Sequence, residues 1–285
     1  MNIWGLLLRL FAHLPLPVVH LIGAILGLLS LLRGRHRRAI ANNLRQAGLY
    51  SPGLVVRSSV EIGKGITELV PIWLRPLAEV TGWVREVRGW EHVEAANRAG
   101  KGLIVMGPHL GCLELAGLYI ATRQSITALY RRPRQDWAHQ MMQTGRNRGQ
   151  AHMVEPNLAG VRALLKALKH NEAAWVLPDQ KANRGEGEWA PYFKQWAYMP
   201  TLLYRLSVAT GARPLLFCCE RLPWGRGYRL LIEPLLPLPE ETGQAMRIVN
   251  HALEETVRRL PAQYLWTYRI HRRHRGETPP EGEPL

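Results

Sequence analysis

The chain has 285 residues, enough to bury the core of one large domain or of a domain with an appendage. Its formal charge is +15, most of its basic residues are arginine, and it contains three cysteines without paired spacing. The cysteines exclude a disulfide scaffold and a structural zinc site and are typical of a reducing compartment. The positive charge indicates a negatively charged partner. Composition alone does not distinguish a nucleic acid, an anionic lipid surface and an acidic protein.

Residues 3–32 are almost wholly apolar and are followed at once by four arginines within residues 33–38. The cleanest apolar stretch, residues 18–32, would form a helix of roughly 22 Å, shorter than the bilayer core of about 30 Å. Arginines after an apolar segment suit anionic head groups on the cytoplasmic side, whereas a cleaved signal peptide carries its charge on the other flank. We therefore predict that residues 1–38 are a membrane-anchoring segment of helices, either spanning the bilayer or lying in its interface. A buried core helix is the alternative.

Beyond residue 39 the pattern alternates between helical and strand-like stretches. Helices are predicted at residues 39–50, 58–77, 90–98, 113–121, 137–148, 158–170, 202–209 and 244–260. Strands are predicted at residues 83–87, 103–106, 125–130, 151–154, 173–177, 214–219 and 228–232. Such alternation predicts an α/β layered fold, with a largely parallel central sheet flanked by helices, in a domain of residues 39–271. Residues 272–285 are rich in proline, glycine and charge and are predicted to form a flexible tail.

A candidate catalytic histidine follows the apolar strand at residues 103–106. Gly107 and Pro108 end that strand, and a helical pattern resumes at residue 113. His109 therefore stands where a strand turns into a helix, the position at which open α/β sheets place their chemistry. A neutral imidazole near its reference pKa suits a general base at physiological pH. We interpret His109 as that base.

Two carboxylates are candidates for orienting the His109 ring. Glu114 is close in sequence, but residues five apart in a continuous helix are about 140° apart, so Glu114 reaches His109 only if His109 precedes the helix. Asp179 ends another strand, and strand ends converge at one edge of such a sheet. The sequence leaves both open. Cys112 could serve as a covalent nucleophile, although an apolar-flanked cysteine is more often a small packing residue.

Several motifs occur together and in order along the chain. They are residues 87–114, which contain the pattern His-x4-Glu, then Leu-Tyr-Arg-Arg-Pro at 129–133, Arg-Asn-Arg-Gly at 146–149, Leu-Pro-Asp-Gln at 177–180 and Pro-Ala-Gln-Tyr-Leu-Trp at 261–266. In combination they resemble the bacterial lipid A late (secondary) acyltransferases, lauroyl and myristoyl transferases within the lysophospholipid acyltransferase superfamily, whose signature is His-x4-Asp/Glu. The segment at 190–200 departs from the Pro-Phe-Phe-Gly-like segment of that family, which leaves the acyl pocket and the acceptor open.

The resemblance implies an O-acyltransferase domain over residues 39–271. It would move a fatty acyl chain from an acyl carrier protein thioester, or from acyl-CoA, to a hydroxyl of a 3-hydroxyacyl chain on a lipid A precursor. The expected location is the bacterial inner membrane, with the domain facing the cytoplasm. The expected catalytic residues are His109, Glu114 and Asp179, and the expected substrate-binding residues are Arg131, Arg132, Arg146, Arg148, Gln180 and Arg184.

No cofactor and no metal are expected, because the carrier-protein thioester is a co-substrate and no cluster of ligands has metal-binding spacing. The acidic surface of acyl carrier protein suits the arginine excess of this chain. Two alternatives remain. One is another lipid acceptor, such as a glycerophospholipid, an ornithine lipid or a mannoside. The more remote one is a basic nucleic-acid-binding protein, but no groove-entering or stacking motif accompanies the basic runs, so no nucleic-acid partner is expected.

Overall fold

The computed structural model describes residues 3–133, 135–268, 271–272 and 278–282, so most of the predicted flexible tail at 272–285 lies outside the described residues. The helices are α1 (Ile3–Ala12), α2 (Leu16–Ser30), α3 (Gly34–Gln46), α4 (Pro52–Thr67), α5 (Leu69–Leu74), α6 (Leu77–Thr81), α7 (Trp90–Ala99), α8 (Leu113–Ala121), α9 (Asp136–Arg146), α10 (Leu158–Lys169), α11 (Leu202–Thr210) and α12 (Thr242–Arg259). The strands are β1 (Val84–Arg88), β2 (Leu103–Met106), β3 (Ile126–Leu129), β4 (Ala151–Val154), β5 (Ala173–Val176), β6 (Gly187–Tyr192), β7 (Gln195–Pro200), β8 (Arg213–Arg221) and β9 (Tyr228–Pro234).

A seven-stranded sheet in the order β1-β9-β8-β2-β5-β3-β4 forms the centre of the fold. The five strands from β8 to β4 are parallel, while β9 pairs antiparallel with β8 and carries β1 parallel to itself. In β2, Ile104 and Met106 pack into the core on one face, and Leu103 and Val105 pack into the core on the other. A strand buried on both faces needs apolar residues at every position, as β2 has. The predicted α/β fold with a mostly parallel sheet flanked by helices is confirmed.

Several elements differ from the sequence-based expectation, among them a helix and a hairpin. The stretch at residues 58–77, expected as one helix, is divided between α4, α5 and the start of α6. Its first helix begins earlier, at Pro52, because the Ser51 hydroxyl caps it by accepting a 3.1 Å hydrogen bond from Leu54 N. The second difference is an antiparallel hairpin of β6 and β7, for which no strands were predicted. It packs on α12, where the Asn250 amide donates a 2.7 Å hydrogen bond to the Pro191 carbonyl.

The first two helices meet at a sharp corner. Within the described residues, no single helix is long and apolar enough to cross a membrane, whereas Gly5–Ala12 and Leu16–Ser30 reach that length and composition only together, across a bend of 118°. One face of α2 is buried against α4 at glycine positions, so that a Cβ on Gly23 would lie 2.6 Å from Lys64 Cα. The close approach of two helix backbones fixes α2 to the rest of the fold.

A buried network of charges fastens these helices to the sheet. Arg221, at the end of β8, donates hydrogen bonds of 2.6 and 2.7 Å to Glu68 and of 2.8 Å to Glu61. Glu68 also accepts a 2.8 Å hydrogen bond from the Tyr228 hydroxyl and lies 3.1 Å from His20 Nε2 on α2. Burial raises the pKa of Glu68, but Arg221 and His20 oppose this and hold it well below its usual range. A buried charge persists when it is paired in this way.

Candidate active site

His109 and Asp179 meet because two adjacent parallel strands end in register. Met106 and Val176 are paired as the last residues of β2 and β5, and the two side chains each follow three residues later. Asp179 Oδ1 lies 2.6 Å from His109 Nδ1, and Asp179 Oδ2 accepts a 2.6 Å hydrogen bond from His109 N. With Nδ1–H donating to the carboxylate, the lone pair of the neutral ring lies on Nε2. The strand ends therefore present an oriented base.

The surroundings of the imidazole favour its protonated form. Asp179 is buried, whereas a quarter of the His109 side chain, 25%, is exposed. Burial lowers the pKa of His109, but the charge of Asp179 and its hydrogen bond raise it by more, so the pKa of the ring lies above its usual value. Gln180 Nε2 lies 3.0 Å from His109 Nε2. The ring is thus a stronger base than free histidine, and its Nε2 faces a side-chain amide.

The segment that follows α12 supports the pair from behind. Leu265 N donates a 2.9 Å hydrogen bond to the His109 carbonyl, and the Tyr264 hydroxyl is hydrogen-bonded to Asp179. Tyr192 in β6 donates to the Tyr264 hydroxyl at 3.3 Å. Sequence reasoning assigned no role to Tyr264, although the segment at 261–266 was one of the motifs that carried the family resemblance.

The loop between β2 and α8 has a shape that a side chain at Gly111 would destroy. Gly111 has φ +65°, and a Cβ there would lie 2.0 Å from the Cys219 carbonyl oxygen. Gly111 N donates to the Gln263 carbonyl at 3.1 Å, and Cys112 N donates to the Cys219 carbonyl at 2.8 Å. The Cys112 side chain is buried, and burial raises the pKa of its thiol well above the usual value. A buried, protonated thiol fits packing and not nucleophilic attack.

Glu114 does not take the orienting position that the sequence suggested for it. Its carboxylate instead accepts a 2.9 Å hydrogen bond from Arg146 Nε, a second bond from Arg146 Nη2, and a 3.1 Å hydrogen bond from Trp73 Nε1. Because α8 begins at Leu113, Glu114 lies in the first helical turn and points to α9, where Arg146 is the last residue. Asp179 is the carboxylate that orients His109.

An apolar cavity of about 190 Å³ adjoins the histidine. His109, Glu114 and Arg146 supply its polar groups. The other lining residues come from α8, β3, β4 and β5 and the loops next to them: Leu113, Gly117, Leu118, Ile126, Ala128, Leu129, Ala151, Met153, Trp175 and Leu177. Ile126 and Ala151 are the first residues of β3 and β4. The cavity therefore runs from His109, at the carboxyl ends of the parallel strands, toward their amino ends. Four residues of a strand span roughly 10 Å.

The remaining arginines expected to bind substrate lie in different settings. The Arg148 guanidinium is used by the fold, since Nη1 donates to the Ile72 carbonyl at 2.9 Å and Nη2 donates to the Arg75 carbonyl at 2.6 Å. That expectation is corrected, because a guanidinium committed to backbone carbonyls is not free for a ligand. Arg132 is exposed and pairs with Asp136 at 2.8 Å.

Arg131 and Arg184 are both exposed. Arg131 lies in the loop between β3 and α9. Arg184 lies in the loop before β6. Of the expected substrate-binding residues, the structure therefore brings Arg146 and Gln180 to the cavity and the histidine.

Comparison with known proteins agrees with this geometry. A sequence model described as bacterial lipid A biosynthesis acyltransferase matches residues 3–275. The chain is 31% identical to the lipid A biosynthesis palmitoleoyltransferase of Escherichia coli (strain K12), over 97% of this chain and 90% of that protein. It is 29% identical to the lipid A biosynthesis lauroyltransferase of the same strain, over 97% of this chain and 91% of that protein. A lipid A biosynthesis acyltransferase of Shigella flexneri matches at 31% identity over 97% of this chain and 90% of that protein.

These matches cover all the segments that build the site, from the loop carrying His109 to the support at Tyr264. The chain is therefore an acyltransferase and belongs to the bacterial lipid A biosynthesis acyltransferase family.

Proposed function

We propose that this acyltransferase moves a fatty acyl chain from an acyl carrier protein thioester to the hydroxyl of a 3-hydroxyacyl chain on a lipid A precursor. One observation carries the proposal: an imidazole held by a buried carboxylate stands beside an apolar cavity. Acyl transfer to an alcohol needs a base that accepts the hydroxyl proton and an apolar cavity that holds the acyl chain. This arrangement offers both.

The chemistry assigned to His109 follows from the lone pair on Nε2, the ring nitrogen that Asp179 does not contact. Nε2 accepts the proton of the acceptor hydroxyl as the oxygen forms a bond to the thioester carbonyl carbon. The carbon–sulfur bond of the resulting tetrahedral intermediate then breaks, and the imidazolium returns its proton to the leaving thiolate. Asp179 stabilises the imidazolium between these two steps, because its carboxylate lies 2.6 Å from Nδ1.

Two donors at the site suit the charge that develops on the thioester oxygen. Gln180 places its amide nitrogen 3.0 Å from His109 Nε2, and Arg146 lines the cavity with its guanidinium held by Glu114. Preorganised donors of this kind stabilise an oxyanion without reorganising during the reaction. In this proposal Glu114 is a positioning residue for Arg146.

The carrier protein and the membrane are the proposed partners. The charge of +15 and the exposed side chains of Arg131, Arg132 and Arg184 suit an acidic carrier. The apolar side chains that α1 and α2 expose, and the arginines within residues 33–38, suit attachment to the cytoplasmic face of the bacterial inner membrane.

The test is transfer by the purified chain, followed by mass spectrometry of the lipid product. Carrier-protein thioester and acyl-CoA are compared as donors, and a lipid A precursor is compared with glycerophospholipid as acceptor. We expect transfer from the carrier thioester to the precursor and its loss in His109→Ala. His170→Ala is the matched control, because His170 is exposed at the end of α10. Full activity in His109→Ala, or transfer to glycerophospholipid alone, would contradict the proposal.

A further inference from the structure

An exposed tryptophan stands at the tip of the hairpin that joins β8 to β9. Trp224 is 88% exposed, the highest value for a large apolar side chain among the described residues. Tryptophan is usually well covered in folded proteins. Its backbone lies at φ 61° and ψ 23°, a left-handed conformation that is unfavourable for an L-residue. The fold therefore holds this indole in water at an energetic cost.

The hairpin is closed by a backbone hydrogen bond and packs against the start of α2. Leu222 N donates a 2.9 Å hydrogen bond to the Gly227 carbonyl, which closes the turn. Gly225 has φ +68°, and a Cβ there would lie 2.5 Å from Pro17 Cα. The close contact between these two backbones sets the position of the indole relative to α2.

The outer face of α2 is apolar along its whole length. Val18, Leu21, Ile25, Leu29 and Leu32 recur at helical spacing along and just beyond α2 and are exposed, by 60% at Leu21 and 83% at Leu32. The opposite face of the helix is buried against α4. An exposed face of this kind, larger than a scatter of single residues, marks an interaction surface.

Basic side chains adjoin the hairpin. Arg226 lies within it and Arg85 lies beside it, since Arg85 Nε donates a 3.3 Å hydrogen bond to the Arg226 carbonyl. Both arginines are exposed. An indole next to arginines matches the interface of an anionic bilayer, where the ring lies among head groups and the cations meet phosphates.

We propose that the hairpin at residues 222–227 is a second membrane contact, which inserts Trp224 into the lipid head-group region beside the outer face of α2. The hairpin leaves β8 at the edge of the sheet that carries the histidine loop, because Gly111 is bridged to Cys219 in β8. The row of side chains along α2 and the separate contact at Trp224 together define a plane and therefore an orientation. This orientation turns the catalytic edge to the bilayer, where the lipid acceptor of the proposed function resides.

The experiment places a probe at the tip of the hairpin. Trp224→Cys in the full chain is labelled with an environment-sensitive thiol dye, which is selective because Cys112, Cys218 and Cys219 are buried. The protein is mixed with phosphatidylethanolamine–phosphatidylglycerol vesicles that carry acyl-chain quenchers. The control is Val208→Cys, 66% exposed near the end of α11, at the opposite edge of the sheet where β8 begins.

We expect a blue shift and quenching at position 224 and neither at position 208. Trp224→Ala should weaken vesicle partition about tenfold, and Trp224→Phe should restore part of it. A dye at position 224 that stays in water while the protein binds vesicles would overturn the proposal, as would a Trp224-dependent dimer with unchanged vesicle affinity. Vesicle binding is measured without substrate. A chain that inserts Trp224 but transfers no acyl group would therefore contradict the proposed function and leave this surface in place.

Discussion

The carboxylate of Asp179 accepts hydrogen bonds from both the ring and the backbone of His109, with each donor nitrogen 2.6 Å from one of its oxygens. One residue thus fixes where the loop lies, how the imidazole is oriented and which ring nitrogen carries the lone pair. It also raises the pKa of the ring against the effect of burial. Catalysis by this acyltransferase should therefore respond to Asp179 in both its rate and its pH dependence.

Removing the negative charge of Asp179 tests directly whether it raises the pKa of His109. Asp179→Asn keeps the side-chain shape, but the cause that raises the pKa of His109 is gone while burial still lowers it. In the proposed mechanism the base acts when neutral, so wild-type activity should fall as pH drops through the pKa of His109. In the variant this acidic limb should move to lower pH, while the maximal rate drops by roughly a thousandfold. A full pH–rate profile measures both, and Asp136→Asn, on the exposed pair with Arg132, should leave the limb in place.

Glu114 should behave differently, because it holds Arg146 and not the imidazole. Glu114→Gln should destabilise the protein by roughly 1–2 kcal/mol, since it leaves a half-buried guanidinium without its charge partner. Transfer should weaken chiefly through a lower kcat, because a displaced Arg146 stabilises the developing oxyanion less, with the acidic limb unchanged. Glu94→Gln is the control, because its pair with Arg98 is exposed and 3.9 Å long. A shift of the acidic limb in Glu114→Gln would restore Glu114 as an orienting carboxylate.

The length of the acyl chain should depend on Gly117 and Trp175. A Cβ on Gly117 would lie 3.2 Å from Trp175 Cζ3, and both residues line the cavity. Gly117→Ala should therefore shorten the preferred chain, with about tenfold discrimination against the longest chain that the wild type accepts. Trp175→Leu should lengthen it. Competition between carrier thioesters of mixed length gives the product ratio by mass spectrometry, and Gly53→Ala, in open space on α4, should not change it.

The turn after the histidine offers a stability test with a close control. Gly111→Ala combines a left-handed backbone with a clash against the Cys219 carbonyl, so unfolding in urea should show a loss of at least about 2 kcal/mol. Gly48→Ala places the same residue at φ +68° with nothing within 4 Å, and it should lose only about 1 kcal/mol. Equal losses in the two variants would show that the loop moves freely away from β8.

Local sequence patterns were sufficient to predict most strands of the central sheet. The strands at Leu103–Met106 and Ala151–Val154 match the prediction, because short apolar runs bounded by turns can be read within a few residues. The antiparallel direction of β9 relative to β8 could not be predicted, since the pairing of the two strands depends on contacts between them. The β6–β7 hairpin was also missed, because Pro191 argues against a strand, although the aromatic residues around it are common in strands.

The choice between Glu114 and Asp179 lay beyond the sequence for a similar reason. It depends on the register of β2 with β5, which pairs Met106 with Val176, and on the residue at which α8 begins. Neither is a property of a short stretch of chain. Conversely, His109 could be found from its position at a strand end, where the fold class itself predicts chemistry.

The hydrogen bond from Leu265 to the His109 carbonyl joins parts of the polypeptide that are synthesised far apart in time. A nascent chain can form β2, β5 and their helices before residues 264–265 exist, yet the loop that carries the imidazole then lacks its last support. The active site should therefore be complete only when synthesis of the chain is nearly finished. A ribosome-bound chain would therefore be an inactive precursor, whose helices fold before its active site is complete.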